Sequence, residues 1–298
     1  MTARKHNYAS FILDAAASFE TVAGVFGPDW VFRGQEKARW DISTSMERDS
    51  ARLGRAHFAD FEAFSLEQIK AARCEGTIPQ DSDNFSWLAL LQHHGCKTRL
   101  VDFTESIYVA LYFAYREAPT ADDLNADSAG AIWAINKPAL EARVAEIVKW
   151  TDGKLEFGAE SRSLLNLSIQ KSLLRQHDKP DELGIVSGEP GTPNNRMMVQ
   201  RGLFLAPLNL EYDFKQNLTA GLNLTGTYEP VRRLNSLDDL RAALLEELVV
   251  KIRLAKTMRT ELLSFLANRG ITEESLFPGL DGYARSLNYR SLEKEGES

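Results

Sequence analysis

Two cysteines in 298 residues leave no basis for a disulfide framework. Cys74 and Cys96 can pair once at most. Met1-Thr2-Ala3-Arg4-Lys5-His6 is basic, but no apolar block with a small-residue cleavage site follows, so no signal peptide is read. The two thiols are therefore expected to be free in a reducing cytosol, and the protein to be cytoplasmic. No window approaches the ~18 consecutive apolar residues of a membrane span, and no membrane partner is expected. Histidine is sparse: residues 6, 57, 93, 94 and 177. The adjacent pair His93-His94 would diverge by about 100° on a helix, which is poor geometry for one shared metal, so no metal is expected. A glycine-rich dinucleotide fingerprint after a strand, a P-loop, a His-Glu-x-x-His helix and a Gly-x-Ser-x-Gly elbow are all missing. Positive charge is also in deficit, 35 Lys and Arg against 42 Asp and Glu, giving a net charge of −7. Nucleic-acid binding would then need a local basic patch. Arg196 with Arg201, and Arg232-Arg233 with Lys251, Arg253, Lys256 and Arg259, are the candidates; the plainer expectation is solvated counter-charge on strand and helix faces.

What is present is ordinary globular material: 44% of residues are apolar, enough for a sizeable core. Phe11, Ile12, Ala15, Phe19 and Val22 recur at helical spacing and predict a first helix ended by Gly27-Pro28. Trp30-Val31-Phe32 predicts a strand running into Arg33-Gly34. Helices are predicted around 55–73 and over 86–94, the second with a Ser86 cap and a Gly95 stop. A strand over Thr98–Asp102, a helix over 106–117 and a strand over Gly130–Asn136 follow, with Pro138 early in the next helix. The Pro- and Gly-rich stretch 178–195 reads as loop, and a strand Arg196–Leu205 emerges from it. The last third predicts helices near 236–247, 256–268 and 273–287 around a strand at Leu248–Leu254, with Ser236 and Thr272 as caps. Without a regular βαβ rhythm the class is α+β: a mixed central sheet flanked by helices, with a C-terminal helical and strand extension.

Two places concentrate polar chemistry. In Phe32-Arg33-Gly34-Gln35 a cation ends an apolar strand. Its planar fork suits phosphate or carboxylate, and the glycine would let a ligand approach the backbone. The structural alternative is a strand end whose arginine pairs with an acid. The second place is the run Gln92 to Ser106, bracketed by apolar segments, which holds His93, Arg99, Asp102, Thr104, Glu105 and Ser106. Groups held partly buried there must be paired and have shifted pKa values. Singly, Arg99 with Asp102 reads as an ion pair, His93 as a core histidine, and Thr104 or Ser106 as a helix cap.

At these residues the chain resembles the FRG-domain family, named for the Phe-Arg-Gly that stands at 32–34. Gln92-His93-His94-Gly95, Thr98-Arg99-Leu100-Val101-Asp102-Phe103-Thr104, Ser106 and Ala110–Ala114 match its most specific block. Arg196, Gln200, Gly202 and Phe204 resemble its late strand, and Gly270 through Gly282 its C-terminal signature. The resemblance runs from about 26 to 288. It divides the chain into an N-terminal helix (1–25), a core (26–210) and a C-terminal part of the same unit (211–298).

The arrangement is similar to the ADP-ribosyltransferase fold, and that similarity implies an NAD-consuming transferase, in the role of a toxin or anti-phage defence effector. The implied partners are NAD, a nucleic-acid or protein acceptor, and an antitoxin. On this analogy Arg33, Gly34, Gln35, Arg99, Thr104 and Ser106 bind NAD. Gln200 takes the place of a catalytic glutamate: it can accept from a ribose hydroxyl but cannot deprotonate an acceptor. His93, Asp102 or Glu105 would supply the base, His93 foremost because its reference pKa lies nearest neutrality. Tyr112 or Phe113 would stack on nicotinamide. Two alternatives stand beside this: an NAD-independent nuclease or hydrolase using His93, Arg99 and Asp102, and a nucleotide-binding module without turnover.

Overall fold

The alternating run that ends at Asn136 forms the middle of the molecule. In the computed structural model, which describes residues 6–72, 79–80, 83–117, 128–150, 164–169, 183–191, 193–228, 231–234, 237–280, 282–284 and 286–287, it is strand β4 (Ser128–Asn136). Antiparallel partners flank it: β2 (Trp30–Gln35) on one side and β9 (Val249–Ala255) on the other. Ile132 and Ala134 enter the core on one face, and Trp133 and Ile135 on the other, as period-2 side chains must. The remaining strands are β1 (His6–Leu13), β3 (Val101–Thr104), β5 (Ile185–Gly188), β6 (Gly202–Pro207), β7 (Leu224–Tyr228) and β8 (Arg232–Arg233). Among the described residues the sheet has nine strands in the order β5-β6-β3-β2-β4-β9-β1-β7, with β8 also on β1. β1 runs parallel to β7, β8 and β9, and the other pairings are antiparallel. The class is α+β with a mixed sheet, and strands from all three segments named above share that one sheet.

The first half of the predicted N-terminal helix is in fact strand. Tyr8, Ala9, Ser10, Phe11 and Leu13 are all buried in β1 between β9 and β7/β8, and helix begins only with the 3-10 turn Ala16–Ser18 that leads into α1 (Phe19–Ala23). A strand buried on both faces is nearly continuously apolar, so its side chains also satisfy a helical template. α1, α6 (Ile107–Tyr115), α10 (Leu237–Glu246) and α11 (Arg259–Ala267) contribute to the core on one face. α7 (Lys137–Trp150) and α9 (Phe214–Gly221) cover the other. Short α2 (Ser45–Arg48) and α3 (Ser50–Leu53) lead into α4 (Phe58–Ala71) and α5 (Asn84–His93), which pack together beside the β5–β6 end.

Several boundaries move for local reasons. α5 starts earlier than predicted because Asp83, not Ser86, caps it, accepting from the Ser86 N–H at 3.2 Å. Gly95 ends it at φ +88, as its type suggested. The strand expected over Arg196–Leu205 is split. Asn194 caps a short helix α8 (Asn195–Val199), and β6 begins only at Gly202, so Gln200 lies in the turn between them. The last predicted helix, 273–287, is interrupted: α12 (Glu273–Leu276), capped by Thr272 as expected, stops before 277–279, and helix resumes at 280, 282–284 and 286–287. Cys74, His177 and Ser236 lie outside the described residues; the stretch 178–195, expected to be loop, holds strand β5 (Ile185–Gly188), which pairs with β6, and Cys96 is a free thiol.

Candidate functional site

The sheet opens beside Arg33. β2 pairs with β4 along its whole length, and β3 pairs with β6 along its own. Between β2 and β3, however, the ladder holds at a single position, Phe32 opposite Thr104. Past it the two strands part, leaving 33–35 facing 101–103 across a notch. The Arg33 side chain bridges it, donating from Nη1 to the Asp102 carbonyl at 2.7 Å. Its Nε is sealed from solvent with no hydrogen-bond partner. Burial pushes the guanidinium pKa down to about 10, with the Asp102 carboxylate opposing and the nearby Arg48 reinforcing the shift. Arg33 is thus still a cation at neutral pH, half-buried at the edge of the notch.

A cleft of about 520 Å³ occupies the notch. Strand β2 lines it from Phe32 and continues through Glu36, β3 contributes Asp102 to Thr104, and α6 contributes Val109 and Phe113. Trp40, Asp41, Ser43, Arg48, Arg196 and Gln200 complete it. A smaller cavity of about 180 Å³ adjoins it, sharing Arg33, Arg48 and Asp102 and adding Ser45, Gln92, Gly95, Cys96, Lys97, Leu100 and Val101.

Of the residues singled out from sequence, Arg33, Gly34, Gln35, Asp102, Thr104 and Gln200 converge on this cleft. Several have structural duties as well. A Cβ on Gly34 would sit 1.9 Å from the Ala110 carbonyl oxygen, so this glycine admits helix α6, not a ligand. Gln35 accepts from Trp133 Nε1 at 2.7 Å and donates to the Asp41 carbonyl at 3.3 Å. The Thr104 hydroxyl donates to the Gln200 carbonyl at 2.6 Å, tying β3 to the turn before β6. Gln200 spends its amide nitrogen on the Leu276 carbonyl at 2.9 Å.

Four others stand elsewhere. Arg99 forms a buried ion pair with Glu62, not Asp102, with Nε and Nη2 at 2.8 and 2.5 Å from the carboxylate, and so does not line the cleft in the NAD-binding role expected of it. His93 is exposed, with Nδ1 3.3 Å from the Asn194 amide; burial of its inner edge, His94 and Arg196 lower its pKa. Glu105 lies between Lys137 at 3.4 Å and Arg201 at 3.6 Å. Ser106 caps α6. His93, Arg99 and Asp102 therefore do not meet as a nuclease set. The aromatic candidates also separate: Tyr112 is buried and donates to Glu273 at 2.5 Å, whereas Phe113 faces the cleft. Of the basic patch around 232–259, Lys251 is buried and Arg259 donates to the Tyr115 and Arg116 carbonyls.

Sequence reading missed Glu36. Three carboxylates line the cleft. Asp41 pairs with Lys215 at 3.2 Å, and Asp102 Oδ2 accepts from Gln92 Nε2 at 3.0 Å. Glu36, half-buried, has no hydrogen-bond or ion-pair partner among the described residues. Burial raises its pKa, the neighbouring Glu117 adds to that, and Arg116 and Lys37 oppose it. The available signal was its place one residue past the Arg-Gly-Gln strand end. Lys97, which extends the site, lies within the Gln92–Ser106 run but was not among its named candidates, and Arg48 and Trp40 lie outside both places singled out from sequence.

Residues 28–123, a segment holding β2, β3 and α2 through α6, match the FRG domain family. No curated protein and no solved structure matches the chain.

Proposed function

We propose that this FRG-domain chain is an NAD-consuming ADP-ribosyltransferase, with the nicotinamide–ribose bond broken in the notch between β2 and β3. The observation that carries the reading is a half-buried cation, Arg33, and a half-buried carboxylate, Glu36, which has no ion-pair partner among the described residues, both lining one cleft of about 520 Å³. That volume falls within the ~300–1,000 Å³ of small-molecule sites. Guanidinium suits a diphosphate, and the exposed Trp40 ring and Phe113 give flat apolar surfaces for ring systems. Loss of nicotinamide passes through an oxocarbenium-like ribose, which a nearby carboxylate stabilises. The acceptor nucleophile bonds to the anomeric carbon as the C–N bond breaks, nicotinamide leaves with the bonding pair, and the acceptor proton passes to Glu36. Glu36 takes the base role ahead of His93 and Glu105, which do not line the cleft, and of Asp102, whose carboxylate already accepts from Gln92.

The test is nicotinamide release from NAD by the purified chain, with and without added RNA or protein, beside Arg33→Ala and Glu36→Gln. Acceptor-dependent release lost in both variants supports transfer; no release from folded wild type under any condition refutes it. In the toxin or anti-phage role that the resemblance implies, expression slows growth and Arg33→Ala restores it. A second reading, a nucleotide-binding module without turnover, is favoured by Gln200, an amide already committed to the Leu276 carbonyl. It is distinguished by stoichiometric NAD binding with no released product.

A further inference from the structure

The smaller cavity differs in character from the cleft it adjoins. Its charged lining consists of Arg33, Arg48 and Lys97 against one carboxylate, Asp102. That carboxylate already accepts from Gln92, and its field acts on Arg33 and Arg48. The Lys97 ammonium has no hydrogen-bond or ion-pair partner among the described residues. Arg48 spends Nη1 on the Ser43 carbonyl at 2.6 Å, and burial draws its pKa down. These cations are held by structure. Capping box α2 places Arg48, and the loop carrying Lys97 is fixed on both sides: by Gly95 in the left-handed region, and by Thr98, whose N–H donates to Ser45 Oγ at 2.9 Å. At about 180 Å³ against about 520 Å³, the annex is roughly a third of the cleft, a size suited to a small anion.

We propose that this annex is a phosphoryl-binding subsite, where Arg48 and Lys97, with Arg33 shared between the two cavities, hold the phosphate or diphosphate of a ligand whose remaining part occupies the cleft. Placing that remainder in the cleft rests on the nucleotide reading above; anion binding by the annex does not. The phosphoryl group has two possible sources, the diphosphate of NAD itself or a phosphodiester of a nucleic-acid acceptor, and both require the same clustered donors.

The experiment is calorimetric titration of the whole chain with inorganic pyrophosphate at low salt, beside Lys97→Ala and Arg48→Ala. Both side chains are exposed, and circular dichroism checks that the variants keep the fold. Each variant is expected to bind pyrophosphate about tenfold more weakly. NAD competing with pyrophosphate identifies the dinucleotide as the source, and a short single-stranded RNA competing identifies the acceptor. No pyrophosphate binding, or binding equal in wild type and both variants, overturns the subsite. Pyrophosphate binding without NAD binding keeps the annex and sinks the NAD reading of the cleft.

Discussion

Removing the carboxylate of Glu62 separates a structural Arg99 from a catalytic one. The Arg99 and Glu62 side chains are 0% and 1% exposed, so Glu62→Ala leaves a guanidinium without its counter-charge in the interior. Breaking one side of a buried pair typically costs ~3–5 kcal/mol. For a chain of this size roughly 2 °C is lost per kcal/mol, so the midpoint of thermal unfolding should fall by roughly 6–10 °C. The companion double variant Glu62→Leu/Arg99→Met removes the stranded charge but not the whole defect. Arg99 Nη1 also donates to the Pro207 and Leu208 carbonyls, both at 3.3 Å, and Leu208 alone keeps a second donor, Ser168. An orphaned buried carbonyl costs ~1–3 kcal/mol, so the double variant should recover part of the loss and remain below wild type. Differential scanning calorimetry, read beside nicotinamide release well below the midpoint, decides the matter. Unchanged stability with abolished turnover in Glu62→Ala would refute the structural assignment and return Arg99 to the chemistry.

Three further outcomes follow from the geometry. Glu36→Gln should lower nicotinamide release by ~10²–10⁴-fold with NAD affinity kept within a few-fold; parallel loss of affinity in calorimetry would make Glu36 a binding group instead. Gly34→Ala should destabilise by at least about 3 kcal/mol, because its Cβ would lie 1.9 Å from the Ala110 oxygen and 2.7 Å from the Ala114 nitrogen. A stable Gly34→Ala protein, judged by its urea midpoint, would contradict that packing. Lys251, 4.3 Å over the Trp133 ring and donating to the Trp40 carbonyl at 2.9 Å, has its pKa drawn down to about 8 by burial. Between pH 8 and about 10.5 the unfolded chain then binds the extra proton, so stability should rise with pH in that window, by up to roughly 3 kcal/mol. Lys251→Met should abolish that rise in pH-dependent unfolding; an identical profile would show that Lys251 is not its source.

The elements with a clean local signal were legible in the sequence. β2, β4, α6 and the capped start of α12 fall where alternation, apolar spacing and Ser106 or Thr272 place them. β1 was not legible, since its apolar run acquires meaning only between β9, β7 and β8, strands from the far end of the chain. The site divides in the same way. Arg33, Asp102 and Thr104 are recognisable because polar groups beside apolar strand residues stand out. Arg99 stands out for the same reason, yet its partner Glu62 lies on α4, and no local pattern joins the two. Glu36 looks like an ordinary surface charge until the β2–β3 ladder is seen to stop after one position.

That α6 lies directly on the sheet through glycine has a consequence for how the cleft responds to a ligand. Besides Gly34, Gly130 on β4 would bring a Cβ within 2.4 Å of the Ala114 oxygen, so the helix meets two strands backbone to backbone. No side chain separates them there, so no rotamer at that contact can shift the helix. The wall bearing Val109 and Phe113 is therefore set before anything binds. Little ordering is then required of that side on association, and a flat ring meets it as a lock meets a key. Adaptation must come from the opposite side, where the Trp40 loop and the Arg48 side chain reach solvent. Selectivity for the ring would thus be fixed by one face of the cleft, and tolerance toward what it carries by the other.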